Sequence, residues 1–177
     1  MNRHNTKSFY WDFTMPNRNT FSIPSINKFL ENKLKDRKII IDPFARDSKL
    51  GTITNDLNPK TTAEYNLYAD VFLQMLIEKG VKADAILLDP PYSPRQVKEC
   101  YESLGLDVTS EDTQTSKTMS KIRKLAAELL KKDGIAISFG WDSTGLGRIN
   151  NVSKLEVHII PHGSTLRDTI ITIDRKN

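Results

Sequence analysis

The stretch Ala83–Gln96, ADAILLDPPYSPRQ, decides how this chain is read. Ala85 to Leu88 is an unbroken apolar run, too short for a helix, and reads as a strand buried on both faces. It runs out on a carboxylate, Asp89. Pro90 and Pro91 follow; neither has an N–H, and both fix φ. The Pro90 carbonyl is thus held stiffly outside the ladder, close to Asp89. Two neighbouring acceptors match an amino group with two N–H bonds. Tyr92 adds a flat apolar face. Acceptors for –NH2 beside a stacking ring describe a pocket for an extruded nucleobase. A bare Asp-Pro turn is a common way to end a strand. A buried strand running straight into DPPYS favours the functional reading.

Working outward, strands and helices alternate. Arg37 to Asp42 (RKIIID) and Thr52 to Asn55 read as strands, and Tyr65 to Tyr68 as a third. DVFLQMLIEKG predicts a helix closed by Gly80. Upstream, Pro24 suits the first turn of a helix whose buried face carries Ile26, Phe29, Leu30 and Leu34. Downstream, Arg95 to Leu104 follows Pro94 as a helix, and Gly105 to Thr115 is a polar loop. Ser116 to Lys132 carries the clearest stripe: Met119, Ile122, Ala126 and Leu129. GIAISFG is a strand, and KLEVHIIPHG with TLRDTIITIDRK forms an antiparallel hairpin. The expectation is a mostly parallel α/β sheet with a C-terminal hairpin. Ligands of such sheets sit beyond the carboxyl ends of the strands. That rule points to Asp42, Asp56, Asp70, Asp89 and Trp141.

The length, 177 residues, suits one domain. The single cysteine, Cys100, excludes a disulfide framework and argues against a thiolate metal site. No apolar run is long enough to span a membrane, and the opening MNRHNTKSFYWDF lacks the core of a signal peptide. The expected setting is the cytoplasm. The net charge, 26 basic minus 22 acidic or +4, permits a polyanionic partner without requiring one. His4, His158 and His162 lack metal-ligand spacing, so no metal is expected.

LLDPPYS resembles the signature of S-adenosylmethionine-dependent amino-methyltransferases, in particular the phage-type N6-adenine DNA methyltransferases. The remaining motifs follow in that family's order. IIIDPFA resembles its first cofactor motif, TNDLNP the acidic end of its second strand, and YADVFLQML its third cofactor motif. NTFSIPSI, which holds Phe21, resembles the segment supporting the methionine end of the cofactor. SFGWDSTGLG and IPHGSTLRDTIITIDRK are similar to the closing strands. The resemblance covers the chain from about Thr20 onward.

It implies a compact Rossmann-like class I methyltransferase sheet in one domain, residues 1–177, without a separate target-recognition domain. S-adenosyl-L-methionine is the implied cofactor. Asp42 would face its methionine amine, with Pro43, Phe44 and Ala45 alongside. Asp56, followed by Leu57, would accept from the ribose hydroxyls, and Asp70, beside Val71, from the adenine amino group. The implied catalytic set is Asp89, Pro90, Pro91 and Tyr92. Ser93, Arg95, Gln96 and Trp141 are the candidate substrate contacts by position, although Trp141 could equally pack as a wall and Arg95 only cap or solvate its helix; DNA is the expected partner and RNA possible. Arg3, Lys7 and Arg18 are candidate phosphate contacts. An oligomer or a second subunit could supply further recognition.

The chain departs from the family pattern in two ways. ARDSKLG stands where a glycine-rich turn is usual. Asp42 to Asp56 and Asp56 to Asp70 each span only fourteen steps, so the first two crossover helices are expected to shrink to turns. Two other readings share these residues: methylation of another exocyclic amine, such as cytosine N4 or an RNA base, and a degenerate module of the same fold that only binds nucleic acid.

Overall fold

The computed structural model describes residues 19–91, 94–105, 115–163 and 167–177. Six strands form one sheet: β1 (Ile40–Asp42), β2 (Ile53–Thr54), β3 (Ala83–Leu88), β4 (Leu130–Gly140), β5 (Val152–Ile160) and β6 (Thr169–Lys176). Their spatial order is β2-β1-β3-β4-β6-β5. β1 to β4 are parallel to one another, whereas β6 runs antiparallel to both β4 and β5. The helices are α1 (Pro24–Leu34), α2 (Ala69–Glu78), α3 (Pro94–Ser103) and α4 (Thr115–Leu129).

β3 lies mid-sheet because its side chains are apolar on both sides. Ile86 and Leu88 enter the core formed with Phe72, Leu73 and Leu76 of α2 and Ile122, Ala126 and Leu129 of α4. Ala85 and Leu87 enter the opposite core, closed by Ile26, Leu30 and Leu34 of α1. Among the described residues, α2 and α4 therefore cover one face and α1 the other. α1 is also tied to the outer strand by a polar contact: Lys33 Nζ meets Glu156 at 2.7 Å, a carboxylate that His158 Nε2 on the same strand also meets at 2.8 Å.

The shortened crossovers are present as expected. β1 passes to β2 through turns alone, and the expected third strand at Tyr65–Tyr68 is one parallel bridge, Asn55 to Tyr65. β1 starts at Ile40, not Arg37, because the N–H groups of Lys38 and Ile39 donate to the Asp84 carboxylate (3.1 and 2.8 Å). α4 stops at Leu129, short of Lys132, because Leu130 already pairs with Ala83. The polar loop expected from Gly105 to Thr115 falls largely on residues outside those described. Among the described residues no helix is long and apolar enough to cross a membrane.

Candidate active site at the carboxyl ends of the parallel strands

Because β2, β1, β3 and β4 are parallel, the residues following them share one edge. Asp42 closes β1 and is fully buried. Its Oδ1 accepts the Phe44 N–H at 3.1 Å, while Oδ2 is buried with no partner. Burial pushes its pKa up to about 8; the Phe44 N–H pulls it down, and the charges of Asp89 and Asp56 push it up further. At neutral pH this carboxyl is therefore mostly protonated, and one of its oxygens faces no donor.

The turn from 43 to 52 is stitched where a crossover helix is missing. The Asn55 N–H donates to the Asp42 carbonyl and the Ala45 N–H to the Asn55 carbonyl, both at 2.8 Å. The buried Asn55 side chain donates to the carbonyls of Pro43 (3.1 Å) and Leu67 (3.0 Å) and accepts the Leu67 N–H (2.9 Å). One amide thus joins the segments after β1, after β2 and before α2. Sequence reasoning passed over Asn55, because an asparagine before an aspartate at a strand end reads as ordinary turn chemistry.

Asp56 holds the same turn. Its two oxygens accept the N–H groups of Arg46 (3.0 Å) and Asn58 (2.9 Å). Leu57 beside it is half-buried. Arg46 has φ 50°, a left-handed conformation that turns its N–H toward Asp56. Along this turn opens a cleft of about 350 Å³, lined by Phe21, Phe44, Ala45, Lys49 and Asp89 among others.

Asp70 sits in the first turn of α2 and pairs with Lys121 Nζ at 2.7 Å, while Val71 and Tyr68 beside it are well exposed. The Tyr68 and Tyr101 rings stand 6.1 Å apart, so α3 reaches over toward α2. Cys100 on α3 lies at the surface. Crowding of its thiol and the charge of Asp56 push its pKa up, with Arg46 opposing, which makes it a poor nucleophile at neutral pH.

Asp89, Pro90 and Pro91 are half-buried at the end of β3. Tyr92 and Ser93 lie outside the described residues, as do Arg3, Lys7 and Arg18. Arg95 is exposed and pairs along α3 with Glu99 at 2.7 Å; Gln96 beside it is half-buried. Trp141, just past β4, carries the Arg167 guanidinium over its ring at 4.3 Å. Asp89 and Asp56 are each close enough to Asp42 to act on it electrostatically. Asp70 and Trp141 stand on the same edge as separate contacts.

No protein-family model matches the sequence, nor does any curated protein at a significant level. Solved structures do match in fold. TrmN from Thermus thermophilus is 16% identical with a TM-score of 0.56, covering 88% of this chain and 49% of that one. SMU.776, a provisionally assigned methyltransferase complexed with SAH, is 12% identical with a TM-score of 0.58, covering 84% and 47%. The chain thus spans about half the length of these two proteins. Against yhhF of Escherichia coli, also a provisionally assigned methyltransferase, it is 12% identical with a TM-score of 0.54, covering 93% and 92%. At these identities the likeness defines the fold: a Rossmann-like α/β sheet of the kind found in methyltransferases.

Proposed function

We propose that this protein transfers a methyl group from S-adenosylmethionine to the exocyclic amino group of a nucleobase, with N6 of adenine in DNA the favoured target. The observation that carries the reading is the buried Asp42 oxygen without a donor, two residues before the turn from 44 to 50 that lines a cleft with Asp89. An orphaned buried carboxyl is costly. An ammonium group supplies both the missing donor and the missing charge, and the methionine end of the cofactor carries one. Phe21, Phe44 and Ala45 give that end an apolar wall. Asp56 and Asp70 are proposed to serve the ribose and adenine ends, each while keeping its present partners. The residues present fit the group.

When bound, the cofactor supplies an electrophilic sulfonium methyl. The chain's own part is to position the nucleophile and receive its charge. An aromatic amine is weakly nucleophilic because its lone pair is delocalised into the ring. Hydrogen bonds from its two N–H groups to Asp89 and the Pro90 carbonyl favour a pyramidal nitrogen with a localised pair. The same acceptors stabilise the positive charge that develops there, and fixed positioning supplies much of the acceleration. Tyr92 stacks on the base. The proton departs after transfer, so Asp89 need not be a strong base. Residues 1–177 act here as a single methyltransferase domain.

The test is incubation with tritiated S-adenosylmethionine and duplex DNA or RNA, followed by mass spectrometry of the nucleosides. N6-methyladenine in DNA supports the favoured target. Another N-methylated base moves the reading to that amine. Absence of label from both polymers, with cofactor binding intact, leaves a nucleic-acid-binding module.

A further inference from the structure

Arg167 was not among the residues singled out by the sequence, yet it stands at the edge where the target base is proposed to enter. Gly140 pairs with Ile170 across the antiparallel β4–β6 ladder. The residues leaving β4 and those entering β6 therefore meet at the same edge as Asp89, one strand away. There Arg167 lies 4.3 Å from the centre of the Trp141 ring.

Its backbone is fixed from below. His162, 3% exposed, pairs through Nε2 with Thr169 Oγ1 at 2.7 Å, and its N–H donates to Asp168 Oδ1 at 3.3 Å. The two residues that follow Arg167 are thus tied to the buried His162, Asp168 through the histidine's backbone N–H and Thr169 through its ring. Among the described residues Arg167 forms no ion pair, whereas Arg95 is engaged with Glu99. A guanidinium over an indole face is held by the ring quadrupole. Its N–H donors lie in its own plane, so stacking does not compete with hydrogen bonding. A preorganised, exposed fork of this kind matches the geometry of a phosphodiester.

We propose that Arg167, stacked on Trp141, is a phosphate-binding fork that seats a polynucleotide beside the Asp89 pocket. This rests on the nucleobase reading above and assigns a substrate-binding group to it. The ligand chemistry is the phosphodiester backbone, which DNA and RNA share.

The experiment is fluorescence anisotropy with a labelled duplex DNA and a labelled single-stranded RNA across a range of salt. Wild type is compared with Arg167→Gln, Arg167→Lys, Trp141→Leu and Arg95→Gln. Neutralising one phosphate contributes about −0.9 to the log–log salt slope on duplex DNA and about −0.7 on a single strand. Arg167→Gln should make the slope shallower by about that amount on the polymer that is the substrate. Arg167→Lys should keep the slope while binding more weakly. Trp141→Leu should weaken binding with the charge intact. Calorimetry with SAH should be unchanged for Arg167→Gln, since Arg167 does not line the cofactor cleft. If wild type binds nucleic acid and Arg167→Gln binds with the same affinity and slope, the inference is overturned and the functional reading stands. A slope change in Arg95→Gln alone moves the contact to α3 and also overturns it. If neither polymer binds or is methylated, the functional reading fails and takes this inference with it.

Discussion

Gly51 stands directly against Asp42: a Cβ at position 51 would lie 2.9 Å from the Asp42 Cβ and 3.0 Å from Thr54 Cγ2. The turn after β1 thus folds back until its backbone touches the residue that began it. Gly51→Ala should destabilise the fold by about 1–3 kcal/mol through overpacking and weaken SAH binding by displacing Asp42. Chemical denaturation and calorimetry read the two effects. Wild-type values in both would show that the turn has slack.

Asp42 links pH to stability. Its pKa rises from 3.8 to about 8 on folding, so between those values the folded state holds one more proton than the unfolded state. Stability should therefore fall as pH rises through this window, at the steepest by about 1.4 kcal/mol per pH unit. Asp42→Asn should flatten that dependence, as measured by denaturation at pH 5, 6, 7 and 8. Cofactor binding should release close to one proton at pH 7, seen as a buffer-dependent heat that vanishes in Asp42→Asn.

Asp89→Ala and Tyr92→Ala should abolish methyl transfer and leave SAH binding intact, because the proposed mechanism assigns both residues to the target side of the transferred methyl. Loss of SAH binding in both folded variants would put them on the cofactor side instead.

Asp70→Ala should weaken cofactor binding by about 1.5–3 kcal/mol, the cost of losing hydrogen bonds to a charged group. Asp56→Ala should do the same and lower stability as well, because its carboxylate also clasps the N–H groups of Arg46 and Asn58. Calorimetry beside thermal melts separates the two. Unchanged SAH affinity removes either residue from the site.

Asn55→Ala should cost about 1–3 kcal/mol, since it strands the buried Pro43 carbonyl and leaves the half-buried N–H and C=O of Leu67 without the amide. A loss below 0.5 kcal/mol would mean that water replaces the amide at no cost.

The middle of the sheet was legible because its signals are local. The AILL run of β3 needs a partner on each face, and the stripe on α4 fixes which side that helix presents. The shortened crossovers also followed from spacing, since fourteen steps cannot hold a loop, a helix and a strand. The bounds of β1 and β2 were not legible. The N–H groups that would have lengthened β1 are captured by Asp84, and the Asn55 side chain ties down the segments after β2, contacts made across long sequence gaps. Arg167 was invisible for a related reason. Nothing around it is periodic, and its place over Trp141 exists only through the β4–β6 register.

β6 lies between β4 and β5 in the sheet, although it follows both in the sequence. On a ribosome β5 therefore emerges before β6, its one partner among the described strands, and β4 waits with one side of its ladder open. The sheet cannot close in the order of synthesis. β5 and β6 must zip into a hairpin and dock on β4 together, carrying Ile171 and Ile173 into the core and Asp174 beneath the Leu146 N–H. The edge that bears Trp141 and Arg167 is thus assembled after the parallel strands, and a nascent chain holds those strands before it holds the rim proposed to face the substrate.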